Sequence, residues 1–127
     1  MALASPFLSQ LSLEQHGLTW IQPPLPLVHP LDGMSPAVLY RSLETTSNEL
    51  GADGNGYRRL IEPLVRRWHK LIPEILRPPL HFPAHPIAVA QFGLRGLLPA
   101  TMLNRFAFRE ERAKALFAGM ACHSMFR

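Results

Sequence analysis

The sequence predicts an α+β chain, a small antiparallel sheet of about three strands followed by several helices that prolines interrupt. Three observations predict it. Short apolar runs separated by turn residues fill the chain up to residue 40, and from residue 57 onward apolar positions recur with helical period. The 13 prolines among 127 residues are too many for long unbroken helices. With 47% hydrophobic and 17% charged side chains, residues 1–127 read as a single segment with a core of its own. That length is too short for a nucleotide-binding domain plus a substrate domain.

Taken in order, Ser12-Leu-Glu-Gln15 has the form of a capping box and Gly17 is placed to end a turn, which predicts a short helix over 13–16. Residues 18–22 alternate apolar with polar and are stopped by Pro23-Pro24, as a first strand would be. A second strand over 25–31 meets Asp32-Gly33, a hairpin turn pair, and a third returns over 37–40. Ser42 then caps a helix over 43–50 that Gly51 stops. Over 57–72, Tyr57, Leu60, Ile61, Leu64, Val65, Trp68, Leu71 and Ile72 share one broad face, and Pro63 on the polar side predicts a single curved helix. Residues 76–83 form a proline-rich connector, helices follow over 87–98 and 109–122, and 99–108 links them.

Net charge is +4 and the pI about 10.0, but the basic residues are spread over several predicted helices without a dense run, so the charge reads as a solvated surface and no nucleic-acid partner is expected. The single cysteine, Cys122, excludes an internal disulfide and a multi-cysteine metal site and suits a reducing, cytoplasmic location. The N-terminus lacks the basic start and apolar run of a secretory signal, and residues 87–103 carry Gln91, Arg95 and Pro99 within what would otherwise be an apolar span. That stretch is expected to lie on a membrane at most, not to cross it.

Several constellations fall short of the chemistry they suggest. Gly54-Asn-Gly56 opens like a dinucleotide fingerprint, but the third glycine position is Arg59 and a helix precedes it, so a plain loop leading into a helix is expected. His81 and His85 stand four apart, yet Pro83 lies between them and no carboxylate or cysteine is adjacent in sequence, so no metal is assigned. Ser124 beside His123 is no catalytic triad, and Cys122 reads as a small buried thiol. In the last helix Ala115, Ala118, Gly119 and Cys122 make a face of small side chains that another helix or a flat ligand could approach. Phe92, Arg95 and Leu98, with Phe106 and Phe108, would wall a pocket for a lipid-like molecule, form plain core, or face a membrane with Arg95 at the headgroups.

One ordered set of motifs carries a resemblance. Gly17-Leu-Thr-Trp-Ile-Gln-Pro-Pro24, His29-Pro-Leu-Asp-Gly33, Val38-Leu-Tyr-Arg-Ser42, Leu50-Gly-Ala-Asp53, Pro63-Leu-Val-Arg-Arg-Trp68, Phe92-Gly-Leu-Arg95 and Ala118-Gly-Met-Ala-Cys-His-Ser124 resemble the middle of FAD-dependent oxidoreductases of the phytoene desaturase-like family. The resemblance implies flavin-mediated dehydrogenation of an apolar small molecule, with this chain an internal portion that shapes the substrate site and is inactive alone. Phe92, Arg95, Phe106, Gly119 and His123 are the substrate-pocket candidates, and no catalytic, cofactor-binding or metal residue is assigned. FAD is expected in the parent enzyme and not on this segment, which lacks the glycine-rich strand-turn-helix that holds a pyrophosphate. The alternatives are a free-standing lipid- or carotenoid-binding module and a structural subunit that docks with an FAD-bearing chain. Uncovered apolar helix faces would make the isolated chain self-associate.

Overall fold

A computed structural model of the chain describes residues 5–78 and 80–122. Its class is α+β, with a two-stranded antiparallel sheet and seven α-helices among the described residues. The elements are α1 (Pro6–Gln10), a 3-10 turn (Leu13–His16), β1 (Leu27–Leu31), β2 (Met34–Leu39), α2 (Leu43–Glu49), a second 3-10 turn (Gly51–Asp53), α3 (Gly54–Arg66), α4 (Trp68–Ile75), α5 (Pro86–Gly96), α6 (Ala100–Ala107) and α7 (Glu111–Cys122).

The hairpin forms around Asp32-Gly33, where Gly33 takes a φ of 71° that a side chain would disfavour. Leu27 pairs with Leu39, Val28 with Val38 and His29 with Ala37, and the register then slips so that Leu31 faces Met34. Pro30 and Pro36 lie within that slip, where neither can donate to a ladder, so an irregularity is the physical consequence. The first expected strand is absent: residues 18–22 join no strand ladder among the described residues and leave Ile21 exposed. Arg41 holds the end of that segment instead, donating from Nε to the Pro23 carbonyl at 3.1 Å and from Nη1 to the Gln22 side chain.

Helix ends follow local chemistry. Ser42 accepts from the Thr45 N–H at 3.1 Å as the cap of α2. Thr46, fully buried, accepts the Tyr40 N–H at 3.0 Å and so fastens the end of β2 to α2. Gly17 closes the first 3-10 turn with a φ of 89°, whereas Ser12 makes no side-chain cap and the expected capping box does not form. Two helices went unforeseen, α1, which Ser5 caps by accepting the Leu8 N–H, and α6, which occupies the stretch expected to link its neighbours. The curved helix expected over 57–72 is two helices, α3 and α4, that meet at Arg67. Pro63 and Pro73 remove one rung from each, and Arg67 between them departs from helical geometry with a φ of −105° and a ψ of 9°.

The core gathers Ala37 from β2, Leu50, Tyr57 from α3, Phe108, and Ala113 and Leu116 from α7. Phe108 and Phe117 stack with tilted rings 5.7 Å apart. Arg112 staples three elements together, donating to the Glu49 carbonyl at the end of α2 and to the Pro36 carbonyl of β2. Asp53 fixes the start of α7: its carboxylate, buried, accepts the Arg109 N–H at 2.9 Å and the Glu110 N–H at 2.7 Å. By contrast α4, α5 and α6 bury only Leu71, Glu74 and Ala88, and much of their apolar surface is uncovered.

Candidate functional site

Glu74, near the C-terminal end of α4, organises the polar centre of the α4–α5 arm. Its side chain is 4% exposed. Oε1 accepts the backbone N–H groups of Ala84 at 3.0 Å and His85 at 3.1 Å, immediately ahead of α5. Oε2 lies 2.7 Å from Nε2 of His81. The connector needs such a partner because its prolines cannot supply a backbone ladder.

The other ring nitrogen of His81, Nδ1, lies 2.7 Å from the Pro78 carbonyl. Both nitrogens thus face acceptors, and both contacts form together only when each carries a proton, that is, in the imidazolium. The titration shifts agree with this geometry. The His81 hydrogen bond, helped by the two backbone N–H groups, holds Glu74 below the usual carboxylate range despite its burial. Glu74 first and the Pro78 carbonyl second push His81 above its ordinary value, while burial and Arg77 oppose them. Sequence reasoning found no carboxylate beside His81. The fold corrects that by bringing Glu74 back across the Pro78 bend, seven residues away in sequence.

Beside this pair lies a cavity of about 330 Å³, walled by Leu71 and Ile75 of α4, Pro83 of the connector, and Val89 and Phe92 of α5, with Glu74, Arg77 and His81 on its polar side. No serine, threonine or cysteine lines it. Among the described residues no group of three His, Cys, Asp or Glu is placed to hold a metal.

The expected pocket residues do not converge. Phe92 lines the cavity just described, whereas Arg95 lines a separate groove with Arg67, Gln91 and Leu94. Phe106 is 81% exposed on α6, and Phe108, considered with it, is core. Gly119 sits against the hairpin: a side chain there would come within 3.0 Å of His29 Nδ1. The small-residue face of α7 therefore receives a strand side chain at Gly119, not a helix. Cys122, expected to be buried, is exposed, and His123 lies outside the described residues.

The Gly54-Asn-Gly56 segment does not fit a dinucleotide. Gly54-Asn-Gly56 is the first turn of α3, not a loop, and its glycines serve packing: a Cβ on Gly54 would collide with the Ser47 carbonyl and one on Gly56 with that of Ala107. No room remains there for a pyrophosphate, and the sheet beside it is an antiparallel hairpin. No helix among the described residues is long and apolar enough to cross a membrane. No protein-family model, no curated protein and no solved structure matches the chain.

Proposed function

We propose that this chain is the substrate-site portion of an FAD-dependent oxidoreductase of the phytoene desaturase-like class, active in the cytoplasm when an FAD-bearing region covers its apolar arm. One observation carries the reading. The two motif blocks that carry the resemblance, around His29 and around Gly119, are far apart in sequence and meet in space, with the His29 ring over Gly119. Residues that shape one site are expected to gather in this way. The uncovered apolar side chains of α5 and α6 supply a surface that an FAD-bearing region would cover. The flavin, held elsewhere, supplies the hydride chemistry; the residues here position an apolar substrate.

Flavin titration of the purified chain, alone and with an FAD-bearing region of this class supplied in trans, tests the proposal. The chain alone is expected to take up no FAD. The assembled pair is expected to dehydrogenate an apolar polyene, and Gly119→Val to reduce that activity at least tenfold by displacing His29. Stoichiometric flavin binding with turnover by the chain alone, or assembled activity indifferent to Gly119→Val, contradicts it.

The cavity beside Phe92 favours a second reading, a binding module for a small apolar ligand. Its volume of about 330 Å³ is at the low end for ligand sites and holds a short chain or a single ring, not a whole carotenoid. Retention of an apolar fluorophore, lost on Phe92→Ala, is the result this reading requires.

A further inference from the structure

Charge is segregated along this chain. Positions 58–109 hold nine of the 13 Lys and Arg residues and only two of the nine Asp and Glu residues. Both acids are engaged, Glu62 with Arg66 and Glu74 with His81. Arg67, Lys70 and Arg95 accordingly have no carboxylate within ion-pair distance among the described residues.

Those three cations share one groove, between the α3–α4 junction and α5. One end, about 460 Å³, is lined by Arg67, Arg95, Gln91 and Leu94. The other, about 280 Å³, is lined by Arg67, Lys70 and Ile87, and Arg67 belongs to both. The Gln91 side-chain oxygen is buried without a hydrogen-bond partner. Ile87 and Leu94 are largely exposed, and the connector that runs into the Ala84 wall carries the fully exposed Leu80 and Phe82.

A free inorganic anion would satisfy the cations and leave the apolar rim in water. A purely apolar partner would cover the rim and bury three unpaired charges at high cost. A phospholipid surface meets both demands, because phosphates pair with guanidinium and ammonium groups while the apolar residues reach the acyl boundary. We infer that this groove seats the arm on an anionic phospholipid surface. A lipid phosphate lies among Arg67, Lys70 and Arg95, and Ile87 and Leu94 enter the apolar layer. The inference stands apart from the flavoenzyme reading and its test involves no flavin.

The experiment is cosedimentation of the full chain with vesicles of phosphatidylcholine alone and of two parts phosphatidylcholine to one part phosphatidylglycerol. Binding is expected only to the second and is expected to weaken with salt. The triple variant Arg67→Gln, Lys70→Gln, Arg95→Gln should lose on the order of 100-fold in partition, since each basic residue at a lipid surface contributes about fivefold. Ile87→Ser with Leu94→Ser should also lower it. Removing the same charge elsewhere, as Arg58→Gln, Arg59→Gln and Arg105→Gln, should cost less than about tenfold. Equal binding to both vesicles, or equal loss from the two triple variants, overturns the inference.

Discussion

Asp53 and Glu74 do the same work in opposite halves of the molecule. Each is a buried carboxylate that accepts two backbone N–H groups just ahead of a helix, Asp53 at α7 and Glu74 at α5. Their surroundings differ. Asp53 belongs to the half where the hairpin, α2, α3 and α7 close on Tyr57, Phe108 and Leu116, so apolar packing fixes the helix and the carboxylate only sets its start. Glu74 belongs to an arm with few buried apolar side chains, where the carboxylate and His81 hold a proline-rich connector that packing alone leaves loose. The same polar device is a refinement in one half and a principal fastening in the other.

The largest expected effect breaks the packed half. Leu116→Ala empties a fully buried position and should cost about 3 kcal/mol in urea denaturation, within the 2–5 kcal/mol usual for such truncations. Asp53→Ala leaves the Arg109 and Glu110 N–H groups without their acceptor and should cost about 2 kcal/mol by the same measurement. A loss below about 0.5 kcal/mol for either would mean that this half is not the stable one.

Titration sharpens the comparison next. His81, raised by Glu74, contributes stability that is complete below its ordinary value of 6.5 and is lost as pH rises through its elevated folded value. Glu74, lowered by His81, contributes stability that is complete above 4.5 and is lost as pH falls through its depressed folded value. The clasp is therefore strongest from about 4.5 to 6.5 and weakens on both sides. Amide exchange at Ala84 and His85, corrected for intrinsic rates, should slow in that window, and Glu74→Gln should flatten the profile. Exchange at Glu110, which depends on Asp53, should lack the His81-linked loss above that window.

The smallest effect on stability should accompany a large effect on association. Leu97 is 85% exposed, so Leu97→Ser should change the unfolding free energy by less than about 0.5 kcal/mol. Sedimentation velocity should show self-association of the native chain that this substitution reduces. A compact monomer at every concentration would mean that the arm's apolar surface is not sticky.

Legibility in the sequence follows the same division. Asp32-Gly33, Ser42 and Gly51 act through their own backbone neighbourhood, and each does what local chemistry predicts. Residues 18–22 have the alternation of a strand but no partner to pair with, and pairing is a tertiary event that alternation cannot guarantee. The roles of Gly54 and Gly56 depend on the Ser47 and Ala107 carbonyls arriving from other helices, which a scan for phosphate loops cannot register. Phe92, expected to wall a pocket, lines the cavity at the candidate site, whereas Arg95, expected beside it, lines a separate groove. Glu74 was not legible, because its partners reach it only after the connector folds back past Pro78. Its one local signal was a carboxylate placed just before a run of prolines with a histidine inside it.

A packed half carries an arm whose apolar side chains are left uncovered. Hydrogen exchange across the whole native chain tests it most directly. Slow, globally coupled exchange is expected in α3 and α7 and faster exchange by local opening in α5 and α6, with the arm alone gaining protection when anionic vesicles or an FAD-bearing region is added. Uniform protection of both halves in the isolated chain, unchanged by either addition, would contradict it.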